Sequence, residues 1–129
     1  MNFLTQAHSL VRWLVLLAGV AASAKYAVGL ARHSEFKRVD RILGAVYSGV
    51  LDAQALIGLI LLVGLAVSEG LSPNRILHAL IMFFAVAAAH QTARWCEAPD
   101  ARKFRNGLIA YGLSFVLILL GIVVIVRAS

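Results

Sequence analysis

Two histidines, His8 and His78, are the strongest candidates for ligand binding in this sequence. They lie near the starts of the first and third of four long apolar segments. If these segments cross a membrane in alternating directions, both imidazoles lie about 5 Å below the same face. Neutral imidazoles are common ligands of haem iron and of other metals. The spacing therefore predicts one shared ligand, with haem b as the first candidate and His8 and His78 as its axial ligands.

Two other interpretations of this pair remain open. Each histidine can be an interfacial residue that is hydrogen-bonded to a carbonyl or to water, or the two can bind another metal. Zinc usually takes three or four ligands, and no cysteine or carboxylate accompanies the pair. The single Cys96 has no C-x-x-C-H around it, which excludes covalent c-type haem attachment and leaves a free thiol.

Arg12 is one helical turn below His8 on the same face. A guanidinium inside a membrane needs a partner. Three partners are possible for it: a haem propionate, Asp52 across the bundle, or lipid headgroups reached by snorkelling. We therefore count Arg12 among the cofactor-binding candidates.

His90 and Asp52 are the other ionisable residues inside the apolar segments. His90 follows His78 by about 18 Å along one helix and is rotated from it by about 120°. It can ligate a second, inner haem or bond with Gln91, Gln54 or a loop. Asp52 can pair with Arg12, contact a quinone or a proton, or serve as a hydrogen-bonded packing residue. A carboxylate there must be paired or protonated.

Composition predicts the elements that hold these residues. The chain is 61% hydrophobic and 14% charged, whereas soluble domains are about 45–50% apolar and about 25% charged. Apolar runs of this length indicate membrane spans, and spans that do not close a barrel must be helical. We predict an all-α, integral membrane, up-down four-helix bundle, a single domain over residues 1–129. Its helices are expected at about 4–30, 42–67, 75–95 and 106–126.

Basic residues set the expected orientation. Nine lie in or beside the two long connections, which places those connections in the cytoplasm and both termini on the outer side: Lys25, Arg32, Lys37, Arg38, Arg41, Arg94, Arg102, Lys103 and Arg105. This distribution explains the net charge of +6 without nucleic acid as a partner. Trp95 and Tyr111 fit the inner interfacial belt.

Glycines recur on the second and fourth segments without forming G-x-x-x-G. Their absent side chains let helices, or a flat cofactor, approach closely. They are Gly44, Gly49, Gly58 and Gly64, followed by Gly107, Gly112 and Gly121.

Three short motifs carry a family resemblance: AHSLVRW at 7–13, QALIGL at 54–59, and LHALIM at 77–82 followed by His90. Together they resemble a group of small bacterial four-helix membrane proteins described as cytochrome-b-like. The resemblance implies b-type haem held by His8, His78 and His90. It also implies a histidine where this chain has Asp52, as the partner of His90 around an inner haem. This departure argues against a second haem and favours one outer haem.

These patterns predict a small b-type cytochrome of the bacterial plasma membrane that passes electrons between quinol and a redox partner, rather than a stand-alone enzyme. An alternative is a haem-free accessory subunit of a larger respiratory or photosynthetic membrane complex. A third interpretation is a proton or ion pathway through Asp52 and His90. The expected partners are the lipid bilayer, a quinone, and other membrane subunits or further copies of the chain.

Overall fold

The computed structural model describes residues 2–127, which form four long α-helices and no strand. The helices are α1 (Asn2–Ala31), α2 (Arg38–Glu69), α3 (Pro73–His90) and α4 (Asp100–Arg127), and a short 3₁₀ helix (Gln91–Trp95) continues α3. Each of the four is long and apolar enough to cross a membrane. The prediction of an all-α protein with four membrane-length helices is confirmed.

Two helices begin earlier than hydropathy suggests. α2 starts at Arg38 rather than near residue 42, and α4 at Asp100 rather than near residue 106. The Asp40 carboxylate accepts a hydrogen bond from the Lys37 backbone N–H (2.9 Å), so the first turn of α2 is closed by charged residues. A carboxylate in the first turn also suits the helix dipole. Hydropathy therefore locates the spans, whereas the capping residues locate the helix ends.

Common helix-capping residues form the turn between α2 and α3. Gly70 ends α2 with φ of +80°, a conformation that glycine adopts without a steric penalty. The Ser72 hydroxyl then accepts a hydrogen bond from the Arg75 backbone N–H (3.3 Å), and Pro73 is the first residue of α3. Proline is favoured at this position because its missing N–H would have no partner there.

The helices contact each other in a ring. α1 packs against α2 and α4, and α3 packs against α4 and α2. Within residues 2–127, α1 and α3 do not contact each other through their backbones, so they lie diagonally. The interface between α2 and α3 is the smallest of the four. α2 is also the least buried helix, and its outer face carries large apolar side chains suited to lipid contact.

An aromatic cluster fills the bundle where α1 ends and where α2 and α4 begin. Its ring centroids are 5.1–5.7 Å apart, and its members are Tyr26, Phe36, Tyr47, Phe104 and Tyr111. The predicted interfacial position of Tyr111 is wrong, because its side chain is buried. The space left by Gly44 admits its ring, and its hydroxyl lies 3.2 Å from the Thr92 hydroxyl.

Candidate functional site

His8 and His78 both lie at the end of the bundle opposite the aromatic cluster. His8 is in the second turn of α1 and His78 is in the second turn of α3. Although α1 and α3 are diagonal, the two imidazoles are close enough to interact electrostatically. The two residues that the sequence pairs therefore lie at the same end of the bundle, His8 against Gly58 of α2 and His78 against Gly121 of α4.

A backbone carbonyl of α4 orients His78. The distance from His78 Nδ1 to the Gly121 oxygen is 2.7 Å, and because a carbonyl can only accept, Nδ1 carries the proton. A neutral His78 then has its lone pair on Nε2. A backbone carbonyl on the other ring nitrogen is the usual outer partner of a histidine that binds a metal. Gly121 also allows α3 to come close, since a Cβ there would collide with Met82 and lie 3.5 Å from His78 Nδ1.

His8 is positioned by two residues of α2. The Gln54 side-chain amide donates a hydrogen bond to the His8 carbonyl (2.6 Å). Gly58 faces the imidazole, and a Cβ added there would lie 3.1 Å from His8 Cε1. His8 Nδ1 and Gln54 Oε1 are both buried and have no hydrogen-bond partner. Buried polar atoms without a partner are rare, so they mark a position where a further group is needed.

Arg12 stays beside His8 but does not reach Asp52. Its guanidinium donates to the Ser9 hydroxyl (3.4 Å) and lies 5.5 Å from the centre of the Trp13 ring. It also interacts electrostatically with His8. The interpretation of Arg12 as the ion-pair partner of Asp52 is therefore wrong. Arg12 remains a cation beside His8.

Asp52 instead pairs with His90. The His90 Nε2 atom lies 2.8 Å and 3.0 Å from the two carboxylate oxygens, and the contact joins α2 to α3. The two amides expected as partners of His90 bond elsewhere, since Gln54 bonds to His8 and Gln91 to its own helix. Because His90 Nε2 is already paired, His8 and His78 are the better placed ligand candidates.

The sequence does not predict the buried polar contacts that connect the helices in the core between the two histidine sites. The Tyr47 and Ser114 hydroxyls lie 2.8 Å apart, and Ser114 donates to the Ala85 carbonyl (2.8 Å). All three residues are buried, and they connect α2, α4 and α3. The only signals in the sequence are hydroxyl residues within the apolar segments of α2 and α4, which do not reveal which groups meet.

The donor set fits haem better than it fits a bare metal ion. No group of three or more His, Cys, Asp or Glu side chains in the part of the chain that the structure describes can hold a metal. Haem b requires only one or two imidazoles. Among the hydrogen bonds found for residues 2–127, none engages Nε2 of either His8 or His78. Two imidazoles on diagonal helices, one fixed in the correct tautomer, match that requirement.

Comparisons with known proteins do not assign the chain: no family model, curated protein or solved structure matches it. The assignment of function therefore depends on the residues themselves.

Proposed function

We propose that the protein is a multi-pass b-type haem protein of the bacterial inner membrane that passes electrons between quinol and a redox partner. The observation that carries this proposal is that His8 and His78 lie at the same end of the bundle, with Nδ1 of His78 bonded to the Gly121 carbonyl and Nε2 of each imidazole without a hydrogen bond among residues 2–127. One imidazole from each of two helices of a bundle would be able to hold the iron of a haem b.

The proposal includes an orientation. The nine basic residues near the two long connections favour a cytoplasmic location for that end of an up-down bundle. Both termini, and with them the histidine pair, then belong to the outer half of the membrane. Electrons would be exchanged with a partner on that side.

Each residue near the pair has a role in this proposal. The Gly121 carbonyl holds the His78 ring through its Nδ1 proton, which leaves Nε2 as the atom that would bind the iron. Gly58 leaves room beside the His8 ring, and Gln54 fixes the backbone of α1 at His8. Arg12 can neutralise an anionic group next to the pair. Haem, when bound, supplies reversible one-electron chemistry at its iron, while these residues hold it and keep water out.

An optical spectrum of the purified protein tests the proposal. Protein produced with ample haem should show b-type bands in the reduced-minus-oxidised difference spectrum. We expect His8→Ala and His78→Ala each to abolish or shift those bands. His33→Ala is the matched control, because His33 is an exposed histidine of the α1–α2 connection, and His90→Ala should also leave the bands in place.

Three outcomes would contradict the proposal. One is a folded preparation without haem, which would favour the accessory-subunit alternative. Another is that His8→Ala and His78→Ala leave the spectrum unchanged. The third is that His90→Ala removes the bands as completely as His78→Ala does, since ligation would then involve the inner pair.

A further inference from the structure

The Asp52–His90 pair lies on the surface of the bundle rather than inside it. About half of each side chain is exposed, 46% for Asp52 and 51% for His90. Both belong to helices that are apolar enough to span a membrane. An ionisable pair that faces hydrocarbon is costly, and such residues usually face a cavity, a partner or a substrate path. The pair therefore requires an explanation beyond helix packing.

The depth of the pair limits what can cover it. Asp52 lies 17 residues before Glu69, the last residue of α2, and His90 lies 17 residues after Pro73, the first of α3. At 1.5 Å per residue, both are about 25 Å from the turn that joins these helices. The hydrocarbon core is about 30 Å thick, so this position is remote from the headgroups on the side of that turn. His90 is the last residue of α3, so the pair lies near the opposite boundary of the apolar layer, where a membrane-soluble molecule can place a polar head group.

Small residues lie beside the pair, and the open space over Gly49 is called the notch. Gly49 is exposed, and a Cβ added to it would meet no atom within 4 Å. Ala53 follows Asp52, and Ala87 is one turn before His90. A flat ring can reach the polar atoms across such small neighbours.

Large apolar side chains border the notch on the side of the α2–α3 turn. Leu56 is one turn beyond Asp52 on α2, and Phe83 is two turns before His90 on α3. More than half of each residue is exposed, 59% for Leu56 and 66% for Phe83. Projecting side chains of this size interrupt the track of small residues that a tightly packed second helix would need. They offer an apolar surface to a ring substituent or tail.

We propose that Asp52 and His90 form a binding site for the head group of a membrane quinone or quinol. The Asp52 carboxylate accepts a hydrogen bond from a quinol hydroxyl. The second ring nitrogen of His90, which makes no hydrogen bond among the described residues, bonds to an oxygen of the head group. The ring lies over Gly49 and Ala87, and its substituents follow Leu56 and Phe83. This inference rests on the proposed membrane location and names the site of the quinol in the proposed function.

Photolabelling tests the site without using haem as the readout. The full chain in phosphatidylcholine nanodiscs is irradiated with an azido-ubiquinone, and labelled peptides are mapped by mass spectrometry. Label should appear in α2 and α3 near Asp52 and His90 and should be displaced by decyl-ubiquinol that is kept reduced under anaerobic conditions. Asp52→Asn and His90→Gln should each raise the displacing concentration roughly tenfold, as for loss of one hydrogen bond that involves a charged group. His33→Gln should not change it.

Gly49→Leu provides a variant that leaves the polar pair intact. Because the space beside Gly49 is open, leucine fits without a clash and fills the notch. We expect it to prevent displaceable labelling while the helical circular dichroism signal is retained.

Three results would overturn the inference. The first is labelling that excess decyl-ubiquinol does not displace, which would indicate partition into lipid only. The second is unchanged displacement in Asp52→Asn and His90→Gln. The third is that Gly49→Leu changes the oligomeric state but not labelling, which would indicate that a second copy covers this face. A haem-free preparation that still binds the quinone would contradict the proposed function and leave this site intact.

Discussion

The two ends of the helix bundle treat their buried polar groups differently. At the aromatic end, the Lys25 ammonium bonds to the buried Asp40 carboxylate (2.6 Å), and the Tyr26 hydroxyl donates to the Asp40 carbonyl (2.9 Å). At the opposite end, His8 Nδ1 and Gln54 Oε1 have no partner. Within residues 2–127 the Ser23 hydroxyl is the one other buried side-chain atom without a partner.

Polar groups that are paired stabilise the fold, whereas unpaired polar atoms are available to a ligand. A buried charge or hydroxyl with its partners in place holds helices together and offers nothing to a ligand. A buried imidazole nitrogen without a partner carries an unrelieved cost, and folded proteins keep few such atoms. The paired groups of the aromatic end therefore hold its helices together, whereas His8 Nδ1 and Gln54 Oε1 at the histidine end are left for a polar group that residues 2–127 do not supply.

Removing the Asp40 carboxylate should have the largest effect on the free energy of unfolding. Asp40→Ala leaves Lys25 and the first turn of α2 without their partner. Because Lys25 is partly exposed and can reach water, we expect a loss of about 2–3 kcal/mol in the free energy of unfolding. Denaturant titration in detergent, followed by circular dichroism, measures it. The control Glu69→Ala breaks an exposed pair with Arg75 and should cost at most about 1 kcal/mol. Equal losses in the two variants would show that the Lys25–Asp40 pair does not hold the aromatic end together.

Two glycines of α4 test the same comparison with a smaller expected change in the free energy of unfolding. A Cβ at Gly107 would lie 2.5 Å from Cε2 of the Tyr26 ring, whereas a Cβ at Gly112 would meet nothing within 4 Å. We expect Gly107→Ala to lower the free energy of unfolding by about 1–3 kcal/mol, because the aromatic cluster cannot shift freely. Gly112→Ala should be neutral or should stabilise by up to about 1 kcal/mol through helix propensity. Thermal unfolding of both variants tests whether the aromatic cluster packs tightly against Gly107.

The smallest change in stability should accompany a change at the histidine end. Gly58→Ala places a Cβ 3.1 Å from the His8 ring and should displace it by a few tenths of an ångström. We expect the unfolding free energy to change by less than about 1 kcal/mol, since the gain in helix propensity offsets the crowding. The b-type bands should nevertheless shift or weaken. Gly49→Ala, on the open face of the same helix, should leave the bands unaltered, and a spectral response equal to that of Gly58→Ala would contradict ligation by His8.

The glycines show how far sequence reasoning reaches. Their clustering on α2 and α4 predicted close approach, and the structure has a ring or an imidazole against Gly44, Gly58 and Gly107. Gly49 and Gly112 lack any such neighbour. Residue type alone cannot separate these two groups, because the difference depends on which face of each helix turns inward.

The polar pairs show where sequence reasoning ends. The matched positions of His8 and His78 could be inferred from segment lengths and alternating direction. The partner of Asp52 could not, because Arg12 and His90 lie on different neighbours of α2. Only the rotation of α2 brings its carboxylate to α3 and the Gln54 amide to α1.

The sequence by itself determined four apolar helices of membrane length and a strongly basic set of connections, because hydrophobic content and charge act locally along the chain. Tertiary structure decided which polar atoms meet. It joined Asp52 to His90, enclosed Tyr111, and set the Gly121 carbonyl against His78. These pairings depend on helix rotation and relative height, which are settled by side-chain packing across interfaces and leave no periodic signal in the sequence.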